Sequence, residues 1–485
     1  MGTVDDKPPR EEPLSRVAAI VLAVSERIDR GQLRPGEKLP SIRSALAAFG
    51  VSRNTLVEAY ERLAASGRVE ARAGSGFYVQ RTRAPAPSPA APAVVEAVDS
   101  VWLLREQLEQ HYDVRVGDGR PPPSWMEGSE VGRYLKPINR PGSRPFPASY
   151  GSPLGFPLLR ETIATLLAER AIGVDPALVL MTQGANHALD LIVRTLVEPG
   201  ETVLVDSPGY YPLFGKLRLA KARTIGVRRK PEGPDVAELE EKAAATGAKI
   251  FFTQSLAHNP TGCSLTPAVA YRVLQVAARH DLLIVESDPF ADILPAARPR
   301  LAALDQLERV IYVGTLAKTL SASLRCGYVV ASAGLIERLG ALKMVTSVNS
   351  SGYVERIVND LITSGQYRRH LKRLRGRVDA ATASAQATLG RLGLPLFGPP
   401  GGGFYLWCTL PDGMDDSALS RQAAERGILL APGAVFHPGA GAHPPAMRIN
   451  VAYADDPRFE RFMAERLLEE RLLAERLLAE RLGGG

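Results

Sequence analysis

Lys318 is the residue of this 485-residue chain whose setting folding alone explains least. It lies in Gly314-Thr315-Leu316-Ala317-Lys318-Thr319-Leu320-Ser321-Ala322-Ser323-Leu324-Arg325-Cys326-Gly327-Tyr328, directly after the apolar run Val310-Ile311-Tyr312-Val313. An amine at a strand end, among small polar residues, suits condensation with an aldehyde. Thr315 and Arg325 are placed to hold an anion beside it. On this stretch alone, a surface lysine next to a surface arginine would read the same.

The other strand ends shift that balance. From about Asp99, short apolar runs alternate with helical patterns: Val179-Leu180-Met181, Val203-Leu204-Val205, Ile250-Phe251-Phe252, Leu282-Leu283-Ile284-Val285, Val310-Ile311-Tyr312-Val313 and Val329-Val330. They predict an α/β domain around a buried, largely parallel sheet, with its chemistry at the carboxyl ends of the strands. After the first run, Gly184-Ala185-Asn186 opens a helix and offers backbone N–H groups to an anion. After the second, Tyr210 can lie against a flat ring. After the third, Asn259 precedes Pro260 and is held extended, so its amide points at a fixed polar atom. After the fourth comes an acidic turn, Glu286-Ser287-Asp288-Pro289-Phe290. Phosphate seat, stacking ring, amide, acid and lysine together describe a site for pyridoxal 5′-phosphate.

From Asp99 to about residue 463 the order and spacing of these pieces resemble the fold-type I aminotransferases, with a large and a small subdomain. The resemblance implies that Lys318 forms the internal aldimine and that Thr315, Arg325, Gly184, Ala185 and Asn186 seat the phosphate. Tyr210 would stack on the ring and Asn259 would bond its 3-oxygen. Tyr150 matches a tyrosine that reaches the phosphate of a partner subunit. Arg448, in Met447-Arg448-Ile449-Asn450, matches an arginine that clamps a substrate carboxylate with two parallel bonds. The Gly117-Asp118-Gly119 loop would approach the ligand from the other side. One departure stands out. The family has an aspartate for the ring nitrogen three residues before a tyrosine; here Phe290 takes the tyrosine position and Ser287 the aspartate position. Asp288, one residue late, is the candidate acid. Both changes lean away from fast transamination.

The N-terminal piece is different in kind. Between Leu14 and Arg83 there are 12 Lys/Arg against 6 Asp/Glu, so most of the chain's net +7 sits there and points to a polyanion. Val17, Ile20, Val21, Val24 and Ile28 recur at helical spacing; Ile42, Leu46 and Phe49 mark a second helix that Gly50 ends. Ser52 caps a third, with Leu56, Ala59, Tyr60 and Leu63 inward. Val69 to Arg72 and Phe77 to Val79 read as a hairpin. The arrangement is a winged helix-turn-helix (α+β) whose third helix enters the major groove. Arg53, Asn54 and Thr55 would face bases. Ser41, Arg43 and Arg72 would hold phosphates, with Ser52 and Gly74 at the same surface. Leu39-Pro40-Ser41-Ile42-Arg43, Val51 to Val57 and Arg72 to Val79 resemble the winged helix of the GntR family of bacterial repressors.

Residues 84–98 are Ala/Pro-rich and read as a semi-rigid spacer; residues 1–13 read as disordered. From Ala464 to 485 a five-residue unit built on Glu-Arg-Leu-Leu repeats. It favours helix, but five residues overshoot a turn, so its leucines spiral instead of forming a seam. It is either a repeat expansion on the last helix or a partner-binding helix. Cys263, Cys326 and Cys408 are scattered and read as reduced packing residues, and no metal site is expected. No apolar run approaches the ~18 residues of a membrane span. The charged, Pro-rich start is no signal peptide, which argues for a cytoplasmic, nucleoid-associated protein. Winged helix, spacer and aminotransferase-like domain in that order resemble the MocR/GabR family of transcription regulators. That resemblance implies a homodimer built through the aminotransferase-like domains, which binds double-stranded operator DNA and senses an amino-acid or amine effector by external aldimine formation at Lys318. Two alternatives stay open: a working aminotransferase with an accessory DNA module, and a sensor of pyridoxal phosphate itself.

Overall fold

The computed structural model describes residues 15–29, 32–72, 75–80, 100–129, 131–132, 150–439 and 441–483, in two compact units, Met1–Glu96 and Ala97–Gly485. The expectations for residues 1–13, for 84–98 and for Gly74 lie outside the described residues.

In the first unit, helices α1 (Arg16–Asp29), α2 (Ile42–Phe49) and α3 (Arg53–Ala65) precede a hairpin of β1 (Val69–Arg72) and β2 (Gly76–Val79). The apolar stripes close one core from Ile20, Val24, Leu33, Leu39, Ala45, Leu56, Leu63 and Val69. Ser41 and Ser52 cap α2 and α3 by accepting the N–H groups of Ser44 (3.2 Å) and Thr55 (3.3 Å), each cap contributing about 1 kcal/mol. Tyr60 of α3 meets Phe77 of β2 edge-on at 5.2 Å, which fixes the hairpin to the third helix. The preceding loop pairs along the outer edge of β2, Leu39 N–H to the Phe77 carbonyl and Val79 N–H to the Glu37 carbonyl, both at 2.8 Å.

The second unit is built on an eight-stranded sheet of β3 (Val179–Thr182), β4 (Thr202–Ser207), β5 (Arg223–Lys230), β6 (Gly233–Pro234), β7 (Ile250–Thr253), β8 (Leu283–Asp288), β9 (Val310–Thr315) and β10 (Gly327–Val330), in the order β3-β10-β9-β8-β7-β4-β5-β6. The middle is parallel, as expected. β10 runs antiparallel to both neighbours, and β5, whose sequence is largely basic, is an addition to the expected set. Side chains alternate between two cores. Leu204, Phe251, Ile284 and Tyr312 fall in one; Val205, Phe252, Val285 and Val313 fall in the other.

The reversal of β10 matters for Lys318. The chain leaves β9 at Thr315, forms the lysine loop and returns so that Gly327 pairs with Thr315, which closes the loop at its neck. A second, antiparallel sheet that the sequence reading did not foresee joins β11 (Tyr405–Thr409), β12 (Ala431–Pro432) and β13 (Ala446–Asn450). The long helix Gln366–Arg391 and the last helix, Pro457–Gly483, pack on it. The repeat continues that last helix. Its apolar face stays buried as far as Leu467, and beyond that Leu468 and Leu472 are exposed. Among the described residues no helix is long and apolar enough to cross a membrane, and no group of three or more His, Cys, Asp or Glu could hold a metal ion.

Candidate functional site

Four side chains from three elements bring their polar groups to the loop Gly117-Asp118-Gly119-Arg120. Lys318 Nζ donates to the Gly119 carbonyl, and the Tyr405 hydroxyl donates to the same oxygen at 2.8 Å. Arg448 Nη2 donates to the Gly117 carbonyl at 2.8 Å, and its Nη1 to Asn259 Oδ1 at 2.9 Å. Asn450 Nδ2 donates to the carbonyls of Asp118 (2.9 Å) and Arg120 (2.7 Å). Gly117 has no room for a side chain, since a Cβ there would lie 2.5 Å from the Ala431 nitrogen.

Arg448 is 1% exposed and is framed by the rings of Tyr405 and Phe436, 4.8 and 5.0 Å from its guanidinium carbon. It sits mid-strand on β13, opposite Trp407, so its position is set by two neighbouring strands. Lys318 is half-buried. Burial, with Arg448 next and Arg120 and Arg325 behind it, pushes its amine down to about 8, against the pull of Asp118. The loop is tied below by a buried polar chain. Thr319 Oγ1 lies 2.6 Å from the Tyr367 hydroxyl, which donates to Asp292 at 2.6 Å. His370 Nε2 lies 2.9 Å from the Thr319 carbonyl. Thus the long helix Gln366–Arg391 holds the residue next to Lys318.

The residues expected to hold an anion lie at the start of helix Ala185–Leu196, where no side chain caps the first turn. A Cβ on Gly184 would lie 2.9 Å from Arg325 Nη2, and Arg325 donates to the Gln183 carbonyl at 3.1 Å. Thr315 Oγ1 donates to the Cys326 carbonyl and accepts the Ala317 N–H, both at 3.2 Å. Tyr210 is partly buried, its hydroxyl pushed up to about 12 chiefly by burial. It lines a small cavity of about 20 Å³ with Asp206, Gln254, His258 and Ser287. Tyr150 stands elsewhere, 78% exposed, on the rim of a separate open cleft of about 480 Å³.

In the N-terminal unit, Ser41, Arg43, Ser52, Arg53, Asn54 and Arg72 are exposed and Thr55 is half-buried. Arg53 and Asn54 occupy the first turn of α3. The Arg72 guanidinium lies over the Tyr78 ring at 4.5 Å and donates to Glu70 at 3.3 Å.

Two sequence families match the chain. The model of the family Aminotransferase class I and II matches residues 133–465, and that of the bacterial regulatory proteins, gntR family, matches residues 16–79. The chain is 30% identical over 441 residues to the "Probable rhizopine catabolism regulatory protein MocR" of Rhizobium meliloti, covering 88% of this chain and 87% of that protein. It is 27% identical over 464 residues to the HTH-type transcriptional regulator YisV of Bacillus subtilis, 92% of this chain and 94% of that protein. The chain belongs to the MocR-type transcription regulators. Among solved structures it is similar to Pyrococcus horikoshii kynurenine aminotransferase, with a TM-score of 0.70 and 26% identity over 79% of this chain and 97% of that one. It is similar also to the α-aminoadipate aminotransferase LysN of Thermus thermophilus, solved in complex with N-(5′-phosphopyridoxyl)-L-leucine, with a TM-score of 0.69 and 25% identity over 78% and 96% of the two chains. The protein is thus a transcription regulator with an aminotransferase-like domain.

In this MocR-type regulator Asp288 is turned away from the Tyr210 cavity, contrary to its candidacy as the acid for a ring nitrogen. It shares the sheet face of Ile284, where its Oδ2 accepts from Arg300 Nε (2.6 Å) and the Tyr312 hydroxyl (2.9 Å). Ser287 is the residue of that turn that lines the cavity. Phe290 is fully buried, edge-on to Phe404 (5.1 Å) and Tyr405 (5.6 Å). The carboxylate that does line the cavity is Asp206, unnoticed in the sequence. It is bonded by Arg229 (2.9 Å) and Thr253 (2.8 Å). Burial, the largest single effect, would raise its pKa, but Arg229, His258 and Thr253 together outweigh it and the group stays below the usual carboxylate range. The sequence reading also passed over Arg120, Tyr405 and Asn450. Of these only Asn450 left a signal, two residues after Arg448 and therefore on the same face of one strand.

Proposed function

We propose that this regulator holds pyridoxal 5′-phosphate at Lys318 and responds to an amino-group effector that places its carboxylate on Arg448, with a resulting change in affinity for operator DNA. The observation that carries the reading is that Lys318 and Arg448 are both bonded to carbonyls of one short loop, contacts a ligand would take over. The residues fit the cofactor. A Gly184 that leaves room beside Arg325 and an uncapped helix start match a phosphate. Asn259 gives its oxygen to Arg448, which leaves its NH₂ to donate to a ring oxygen. Tyr210, its hydroxyl kept neutral, offers a flat face.

When bound, the cofactor supplies an electrophilic carbon to which a primary amine can bond. Lys318 is the chain's own amine for it, and the lowered pKa makes a far larger share of it neutral at physiological pH than an ordinary lysine would have. An effector amine competes with Lys318, and Arg448 exchanges a carbonyl for a carboxylate in a two-pronged pair. The effector acts only through its different affinity for two arrangements of the protein. The assembly is a homodimer through the aminotransferase-like domains, with the exposed Tyr150 offered to the partner. On DNA, Arg53, Asn54 and Thr55 face bases, while Ser41, Arg43, Ser52 and Arg72 lie along the backbone. A transaminase is the second reading. The engagement of Asp288 by Arg300 and Tyr312 speaks against it, because the turn then offers Ser287 in place of an acid.

Absorption spectra test this. Wild type with pyridoxal phosphate is expected to show a visible band that Lys318→Ala lacks, and one amino compound is expected to shift that band persistently and to change operator affinity. Bleaching to the pyridoxamine form with recovery on a keto acid would make the protein an aminotransferase. A change of operator affinity with cofactor alone, and with no amine, would make it a cofactor sensor.

A further inference from the structure

The loop that receives Lys318 and Arg448 carries a third cation. Arg120 follows Gly119 directly. Gly119 lies against Arg448, since a Cβ on it would be 3.5 Å from Arg448 Nη2, and its carbonyl takes the Lys318 amine. Lys318 and Arg448 thus meet at Gly119, and Arg120, the next residue, is near enough for its charge to act on the Lys318 amine. The local acid does not balance them. Asp118 is 1% exposed and is shared: Arg115 bonds its Oδ2, while Arg120 reaches its Oδ1 through the backbone N–H (3.0 Å) and Nε (3.3 Å). Arg120 Nη2 is buried and has no hydrogen-bond partner among the described residues.

A buried guanidinium nitrogen without a partner costs free energy unless something arrives to accept from it. The balance of charge points the same way. Arg325 has the phosphate seat and Arg448 has the effector's carboxylate. Arg115 and Arg120 share one carboxylate, which leaves one positive charge over.

We infer that Arg120 seats a second anionic group on the effector, so that the class of compound sensed is an amino acid with a distal acid, such as a dicarboxylic amino acid. The inference rests on the proposed function and narrows it. Arg120 acts on specificity, and the guanidinium edge that Asp118 leaves open is the part that recognises the distal group. An uncharged side chain of the same length would leave that edge unpaired, the arrangement that discriminates most strongly between close analogues.

The test uses the full chain loaded with pyridoxal phosphate. L-aspartate, L-glutamate and L-2-aminoadipate are each titrated against the matching side-chain amide, with the shift of the visible band as readout. Glutarate, which has no amine, is titrated into the same protein by calorimetry. At one of the three lengths the acid is expected to bind at least about tenfold tighter than its amide. Arg120→Gln is expected to bring the two within about threefold, with Arg120→Lys between them as the guard against a merely misfolded variant. No preference for the acid at any length, or a preference that survives Arg120→Gln, overturns the inference. If no amine shifts the band while glutarate binds in a manner that needs Arg120, the amine-sensing reading falls and the second anion seat stands. If glutarate binding then ignores Arg120, both fall.

Discussion

The Lys318 amine owes its chemistry first to burial and then to its charged neighbours. Arg448, Arg120 and Arg325 all press its pKa down, and Asp118 is the group that resists. Only the neutral amine attacks a carbon. The rate of cofactor attachment is therefore expected to rise with pH through about 8 and to level off above it. Stopped-flow absorbance across pH 6 to about 10 checks this; a midpoint near 10.5, the ordinary lysine value, would contradict it. The sign carries over to stability. Between about 8 and 10.5 the unfolded chain binds a proton that the folded one does not, so this group adds stability as pH rises through that window.

At the scale of elements, the β9–β10 hairpin closes the lysine loop at its neck and α3 presents Arg53 and Asn54. Of these, the strand with its lysine loop and the capped helix were the parts most legible in the sequence, because both depend on local spacing, an apolar run before a loop or a serine cap before an apolar stripe, whereas the antiparallel return of β10 was not foreseen. The Asp288 side chain was not legible. In a strand buried on both faces no polar alternation tells which neighbour looks at the site, so Ser287 and Asp288 could not be told apart until β8 had its partners. Arg229 was hidden for a related reason. It stands in the basic run Arg228-Arg229-Lys230, where only the middle residue is buried, and its partner Asp206 is 23 residues away. Arg120 and Tyr405 meet Lys318 through contacts that no spacing encodes. For α3 the expectation is that Arg53→Ala lowers affinity and relaxes base preference at one position, by roughly 1–3 kcal/mol. Arg43→Ala should instead weaken binding to all sequences alike. Binding assays against a mutated operator series separate them, and an Arg53→Ala protein with unchanged preference would mean that α3 does not read bases.

For the molecule as a whole, most of the positive excess lies before residue 84, so DNA affinity should depend steeply on salt while effector binding depends on the pocket around Arg448. The two are joined by linkage. If the effector changes operator affinity by some factor, operator DNA must change effector affinity by the same factor. Titrating the effector with and without a short operator duplex measures this directly. Equal effector affinities in the two titrations, alongside an effector-dependent change in operator affinity, would violate the cycle and show that the two assays follow different states.

The Gly119 carbonyl, held at once by Lys318 and Tyr405, has a consequence of its own. Once the cofactor engages Lys318, that amine no longer offers the loop the same N–H, and Tyr405 and Asn450 are left to carry it. A carboxylate arriving at Arg448 then has to dislodge a loop whose grip has already been eased. On this reading the two ligands do not merely share a pocket: cofactor supply sets the gain with which the effector is heard. A cell short of the cofactor would turn the same effector concentration into a fainter transcriptional signal.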